Sequence, residues 1–213
     1  IAPSDPAGVY ATTWENYPGV SGPSSGVWKS EDAGKTWRRL GGGLPDGPKT
    51  GRIGVAVSAS DPAKAYVLID NLNKGETRAA EVYKSTDGGT TWSRTHTEDL
   101  RIFSSIGWYF VDIYLNPKDD EEVYALGVRI AHSRDGGRTF GLLGGDVYHL
   151  FPSPAQTLHL DHCELWIDPG NSDHLAVGND GGVYTSFDRG KTWLHHNNIP
   201  VGEFYDVSVD NQD

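Results

Sequence analysis

An all-β chain of repeated four-stranded sheets is predicted by three features of the 213-residue sequence. The first is an eight-residue segment that occurs four times: Ser30 to Trp37 (SEDAGKTW), Ser85 to Trp92 (STDGGTTW), Ser133 to Phe140 (SRDGGRTF) and Ser186 to Trp193 (SFDRGKTW). The leading serines are 55, 48 and 53 residues apart, the length of one four-stranded sheet and too long for most helical solenoid units. The second is an interleaved series in which an acid or amide precedes proline and a short apolar run follows. Its members are Asp5-Pro6 with Val9-Tyr10-Ala11, Asp61-Pro62 with Ala65 to Leu68, Asn116-Pro117 with Val123 to Leu126, and Asp168-Pro169 with His174 to Val177. The third is the lack of any sustained 3.6-residue apolar period, so helices are expected to be few.

Each unit then reads as four strands. Proline fixes φ and disfavours helix in the residue before it, so every Asx-Pro pair is a turn between two strands. In the second unit the strands are expected at Arg52–Val57, Ala65–Ile69, Ala80–Lys84 and Trp92–His96. The first strands of the third and fourth units are expected at Trp108–Leu115 and Glu164–Ile167, and their last strands start at Phe140 and Trp193. These are short segments rich in aromatic and β-branched residues, bounded by Gly, Pro, Asn and Asp.

The eight-residue corner has its own logic. Its Ser hydroxyl and Asp carboxylate are short acceptors for nearby backbone N–H groups, its Gly supplies a positive φ, and its aromatic folds back between neighbouring sheets. These corners resemble the Asp-box, or BNR, repeats of β-propellers found in sialidases, in some endoglucanase-like glycosidases and in the sortilin (Vps10) ectodomain. The resemblance implies a propeller of four-stranded antiparallel blades with about four blades in this chain. It also implies that Asp32, Asp87, Asp135 and Asp188 are structural, because such boxes sit on the rim away from the active centre.

The stretches between the corners, Thr50 to Val57, Leu160 to Pro169, Val177 to Tyr184 and Phe204 to Asp210, resemble large bacterial proteins labelled sortilin-like or BNR-repeat glycosyl hydrolases. Those relatives are longer. The expected organisation is therefore one propeller segment over 1–213, with repeats at about 1–50, 51–104, 105–157 and 158–203, and 204–213 as the first strand of a further blade. Both ends cut through a blade. Either the chain is an arc of a larger propeller, the reading adopted, or residues 204–209 complete the first blade and close a four-bladed ring. An arc leaves an apolar flank on each side for the rest of the polypeptide.

Composition agrees with an exported, secreted, periplasmic or cell-surface protein: 27 Gly, 12 Pro, 7 Trp and 10 Tyr, with no Met and a single Cys. A formal net charge of −11 disfavours nucleic acid and anionic membranes as partners, and no apolar run is long enough to insert into a bilayer. One cysteine, Cys163, cannot form an internal disulfide. No cofactor is expected.

First strands line the channel of a propeller, which singles out His159-Leu160-Asp161-His162-Cys163-Glu164. Two His, one Asp and one Glu there suit a proton-transfer pair, a polar ligand or a divalent metal, although no fixed metal-ligand spacing is met. Simple alternation puts His162, Glu164 and Trp166 on one strand face. The plainer alternative is a strand whose polar face meets channel water.

Asn179-Asp180-Gly181-Gly182 is a second candidate. It resembles the Asp-Gly-Gly stretch of xyloglucan-active propeller glycosidases, which would make Asp180 half of an acid/base pair with Asp161 or Glu164. An ordinary hairpin turn explains the same four residues. A sialidase is argued against, since Arg52-Ile53-Gly54, Arg101-Ile102-Phe103 and Arg129-Ile130-Ala131 lack the proline of that family's Arg-Ile-Pro motif.

Rings in loops or at strand starts offer a binding role: Trp14, Tyr17, Trp108, Tyr109, Phe110, Tyr148 and Phe151, although from Phe110 and Val111 onward the reading adopted is a doubly buried first strand near the hub. The inserts 15–26 and 144–157 are expected on one face. The ligand contacts expected are His159, His162, Trp166, Trp108 and Tyr205, for a peptide or carbohydrate. The function adopted is a binding scaffold, with a glycoside hydrolase using paired carboxylates as the alternative.

Overall fold

The computed structural model describes residues 5–16, 19–73, 79–104, 106–144 and 158–199. The expected strand 204–209, Tyr205, Tyr17, Tyr148, Phe151 and most of the 144–157 insert lie outside the described residues. Four antiparallel sheets follow one another along the chain. The first holds three strands among the described residues, β1 (Val9–Thr13), β2 (Gly26–Ser30) and β3 (Arg38–Leu40). The second holds β4 (Thr50–Val57), β5 (Ala65–Asn71), β6 (Ala79–Ser85) and β7 (Ser93–Arg94). The third holds β8 (Asp112–Asn116), β9 (Asp119–Leu126), β10 (Ile130–Ser133) and β11 (Gly141–Leu143), and the fourth β12 (His162–Ile167), β13 (Leu175–Asn179), β14 (Gly182–Ser186) and β15 (Leu194–His195). No helix occurs among the described residues.

The sheets are blades of a β-propeller. Their first strands meet, with β4 against β8 and β8 against β12, so the hub is built from the strand that opens each unit. Three apolar clusters fill the junctions. Tyr10, Val27 and Leu40 of the first blade pack on Ile53, Val67 and Ile69 of the second, joined by Trp92. Tyr66, Leu68 and Val82 pack on Ile113, Val123 and Ala125 across the next junction. Tyr124, Leu126 and Ile130 pack on Leu165, Leu175 and Val177 across the third.

All four eight-residue corners adopt one conformation. In the second, the Ser85 hydroxyl donates to Asp87 Oδ1 at 2.9 Å and accepts from the Gly89 N–H at 2.9 Å. Asp87 in turn accepts from the Thr91 N–H at 2.9 Å and from its hydroxyl at 2.6 Å, and Trp92 Nε1 donates to the Gly89 carbonyl at 3.0 Å. The same Ser-to-Asp and Thr-to-Asp bonds recur around Asp32, Asp135 and Asp188. With so many donors on one carboxylate, each of these aspartates is held down to about 2.

The Asx-Pro turns are equally uniform. The side-chain oxygens of Asp5, Asp61, Asn116 and Asp168 accept from the N–H two residues on, at 3.1, 2.9, 2.9 and 2.7 Å. What the sequence did not reveal is that the two series are joined. The fourth residue of each corner donates its N–H to a carbonyl of the Asx-Pro connection or, in the third blade, of the start of the strand that follows it: Ala33 to Ala7 at 3.0 Å, Gly88 to Ala63 at 2.8 Å, Gly136 to Glu121 at 2.8 Å and Arg189 to Asp173 at 3.0 Å. That bond needs two successive left-handed residues, supplied by Gly88 and Gly89 at φ 70° and 85°, but by Ala33 and Gly34 at 59° and 90° in the first corner.

Two expectations are corrected. The third unit's first strand starts at Asp112, not Trp108, because residues 106–110 are drawn into a turn by Tyr109 N–H to Ile106 O (2.8 Å). Phe110 and Val111 are buried, as expected of a chain that enters the hub there. In β12 the pairing slips between His162 and Glu164, making Cys163 an extra residue. His162 therefore shares the buried side with Leu165 and Ile167, while Glu164 and Trp166 face the other way.

Two substitutions test the corner. Ser85→Ala, which strips one buried donor and acceptor, is expected to lower stability by about 1–3 kcal/mol in urea denaturation. Ala33→Gly, which relieves a left-handed alanine, is expected to raise it by about 0.5 kcal/mol, and a loss would contradict the strain assigned there.

Candidate functional site

Antiparallel blades sort their connections onto two faces. The Asx-Pro turns and the eight-residue corners join first to second and third to fourth strands, and share one face. The second-to-third and blade-to-blade connections share the other, which carries 14–16, 19–25, 95–104, 106–111, 158–161 and Asp180-Gly181. Asp32, Asp87, Asp135 and Asp188 are thus at the opposite end of the sheets from Asp161 and Asp180. Ion pairs between blades gather on the corner face, where Lys64 and Lys84 meet Asp120 and Glu121, and Arg189 reaches Glu122.

On the other face, at the channel mouth, the fourth blade brings together His159, Asp161, His162 and Asp180. Backbone bonds pin the segment to the preceding blade, Asp161 N–H to Val128 O and His162 N–H to Gly127 O, both 3.0 Å. Asp161 is held in the left-handed region at φ 65°. Burial raises the pKa of its carboxyl, the charge of Asp180 raises it further, and His159 opposes both. Asp180 occupies a two-residue hairpin between β13 and β14, closed by the Asn179–Gly182 pair. The turn packs directly on His159: a side chain at Gly181 would meet the His159 Cβ at 2.6 Å. The backbone of that residue accepts from Asn179 Nδ2 at 3.2 Å. His162 is 3% exposed with no partner for Nδ1, and burial drives its pKa down to about 3.

Glu164 belongs to a different group. Its Oε1 accepts from the Tyr114 hydroxyl at 2.8 Å, and its charge acts on Asp112, whose pKa is raised mainly by burial, while Arg52 pulls it down. Arg52 lies in a bulge of β4, donates to the Tyr109 carbonyl and stands 5.9 Å from the centre of the Trp14 ring. One hub strand after another thus contributes Arg52, then Asp112 and Tyr114, then Glu164. Behind Arg52 and Tyr109 lies Asp70, fully buried, its carboxylate within 2.9 Å of where side chains at Gly51 and Gly107 would begin.

The structure pairs Asp161 with Asp180 and separates Glu164 from them. Trp108 is half-buried and meets Tyr109 edge to face at 5.6 Å, leaving Tyr109 the more open ring at 56% exposure. Trp166 points away from the mouth and joins a ring series with His174 (5.4 Å) and Phe187 on the outer flank of the last blade. Sequence reasoning missed Arg52, Asp70 and Asp112. One signal for Asp70 exists: counted from the strand start, it takes in β5 the place that Asp180 takes after β13. Cavities of about 260 and 350 Å³ occur between the first and second and between the second and third blades, and neither is lined by Asp161 or Asp180. Among the described residues no group of three His, Cys, Asp or Glu side chains is placed to hold a metal.

Solved structures share this fold. An ancestral GH74 enzyme matches with a TM-score of 0.56 at 18% identity, over 91% of this chain and 23% of its own. YCF48 from Cyanidioschyzon merolae matches with a TM-score of 0.52 at 15% identity, over 91% of this chain and 53% of its own. Both are β-propellers, and this chain spans at most about half of either. No family model and no curated protein matches the sequence.

Acid stability follows from the depressed groups. His162 and His96 both have pKa values lowered by burial, so the folded state binds fewer protons than the unfolded chain below the ordinary histidine value of 6.5. Stability present at neutral pH is expected to fall as pH drops from 6.5 towards 3, before the corner aspartates add their loss between 3.8 and about 2. Thermal unfolding at pH 7, 5.5 and 4.5 checks this. His162→Phe should flatten the slope in that range, and an unchanged slope would contradict the burial argument.

Proposed function

We propose that the chain is part of a larger exported, sortilin-like Asp-box propeller that serves as a ligand-binding scaffold, with a peptide or glycan held at the channel mouth. One observation carries this reading. Among the described residues, His159, Asp161, Asp180, Arg52, Asp112 and Tyr109, none of which staples the rim, lie on one face around the hub. Loops on a rigid scaffold are where propellers and other β folds place recognition. His162 is then a support beneath that face, and Trp108 borders it.

The remaining polypeptide is proposed to cover the flanks. Trp37, the aromatic of the first corner, is 42% exposed, whereas Trp92, which fills a junction between two blades, is 4% exposed. At the other end Trp166, Phe187 and Leu194 are 48%, 65% and 58% exposed. These are the two surfaces on which a further blade would stack.

A second reading is favoured by the coupling of Asp161 to Asp180. Two neighbouring carboxyls, one of them with its pKa raised by burial and by the other, are the arrangement that divides general acid from base or nucleophile in a glycoside hydrolase. The likeness to a GH74 enzyme supports a glycan-related role at the level of scaffold only.

Hydrogen exchange with and without a soluble β-glucan or a basic decapeptide separates these readings from a purely structural one. Protection is expected in 14–25, 95–111 and 158–181, and protection confined to the corners would overturn the proposal. Under the scaffold reading no β-glucan is cleaved. Turnover abolished by both Asp161→Asn and Asp180→Asn, with the fold intact, would replace it by the hydrolase reading.

A further inference from the structure

We propose that Arg52, Tyr109 and Asp112 form a sugar-binding subsite at the hub between the second and third blades, apart from the Asp161–Asp180 pair. The inference rests on the reading of the mouth as a ligand face and names its ligand class as a neutral glycan.

Arg52 and Tyr109 are tied to each other, and Asp112, on the adjoining hub strand, lies within reach of the Arg52 charge. Arg52 is anchored by its bond to the Tyr109 carbonyl and by the Trp14 ring, which locks the guanidinium beside the turn that carries the tyrosine. The turn itself is closed by Tyr109 N–H to Ile106 O at 2.8 Å, and the Tyr109 ring is braced edge to face by Trp108 at 5.6 Å and Phe110 at 4.7 Å. Beneath it, the buried carboxylate of Asp70 packs against the backbone of Gly107 in that turn and of Gly51 in the bulge that carries Arg52. A ring 56% exposed to water yet held in contact with two neighbouring rings is a prepared platform whose ordering cost is met before a ligand arrives.

The chemistry selects the ligand. An open phenol ring matches the C–H face of a pyranose. Beside it stand a guanidinium, which only donates, and the carboxylates of Asp112 and Glu164, which accept when ionised. A hydroxyl can donate and accept, so a polyol satisfies both kinds of group at once. A basic side chain would meet Arg52, and an acidic one would meet Asp112 and Glu164, so a neutral chain is the better complement.

Titration calorimetry of the whole chain with hydroxyethyl cellulose, a neutral β-glucan, and with decalysine tests this. Binding to the glucan is expected, weakened about tenfold by Tyr109→Ala and several-fold by Asp112→Asn. Circular dichroism and the unfolding midpoint should be unchanged in Tyr109→Ala, since the ring is exposed. Glucan binding that survives Tyr109→Ala but is lost in the Asp161→Asn, Asp180→Asn double variant would overturn the subsite and leave the mouth as the ligand face. Binding of decalysine in place of the glucan would overturn the choice of ligand, and binding of neither would overturn both proposals.

Discussion

The structure depends on one short contact made four times, the N–H of the fourth corner residue bound to a carbonyl of the Asx-Pro connection or of the strand start that follows it. Without it each blade would be two hairpins held only by their strand ladders. With it, the turn between first and second strands and the turn between third and fourth are tied across the end of the blade, so the hub strand and the rim strand keep a fixed offset. The corner's serine and aspartate bonds hold the backbone in the left-handed pair that aims this N–H. Closing aromatics then have a defined place to go, into the gap to the preceding blade. Packing between blades is therefore a consequence of local geometry, and the apolar junctions need only residues of suitable size.

Stapling one face releases the other. The repeated interlocking bonds and the ion pairs that Lys64, Lys84 and Arg189 make across blades are concentrated at the corner end, and the connections at the mouth have no repeated task. They differ in length and composition, carry two bulges in hub strands, and hold three non-glycine residues, Arg101, Ser104 and Asp161, in the left-handed region. Strain and like-charge neighbours are tolerated there because the opposite end supplies the rigidity. The same division explains why the four recurring aspartates, the most conspicuous acids in the sequence, have depressed pKa values, while Asp112 and Asp161 are pushed the other way.

The propeller was legible because its signals are local and repeated. Ser, Asp, Gly, Thr and an aromatic act within eight residues, and proline acts on its neighbour. What was not legible depended on distant partners. No pattern in residues 104–111 announces that the chain turns before entering β8, since the turn is set by packing on Ile102, Phe103 and the buried Asp70. Alternation failed at Cys163 because an inserted residue resets the phase, and a β-bulge leaves no fixed mark in sequence. Arg52 looked like a strand residue, for its partner is a backbone carbonyl 57 positions away. Asp161 and Asp180 were singled out for their surroundings in sequence, and their electrostatic contact is a fact of the fold.

A double-mutant cycle between Ser85→Ala and Asp61→Ala tests the rim most directly. Ser85 shapes the corner, Asp61 shapes the Asx-Pro turn, and neither side chain touches the other; they communicate through the Gly88 to Ala63 bond. If corner and turn form one interlocked unit, the two losses of unfolding free energy should fall short of additivity by about 1 kcal/mol. Additivity within about 0.3 kcal/mol would mean that the two series stabilise the blade independently, which contradicts an interlocked rim.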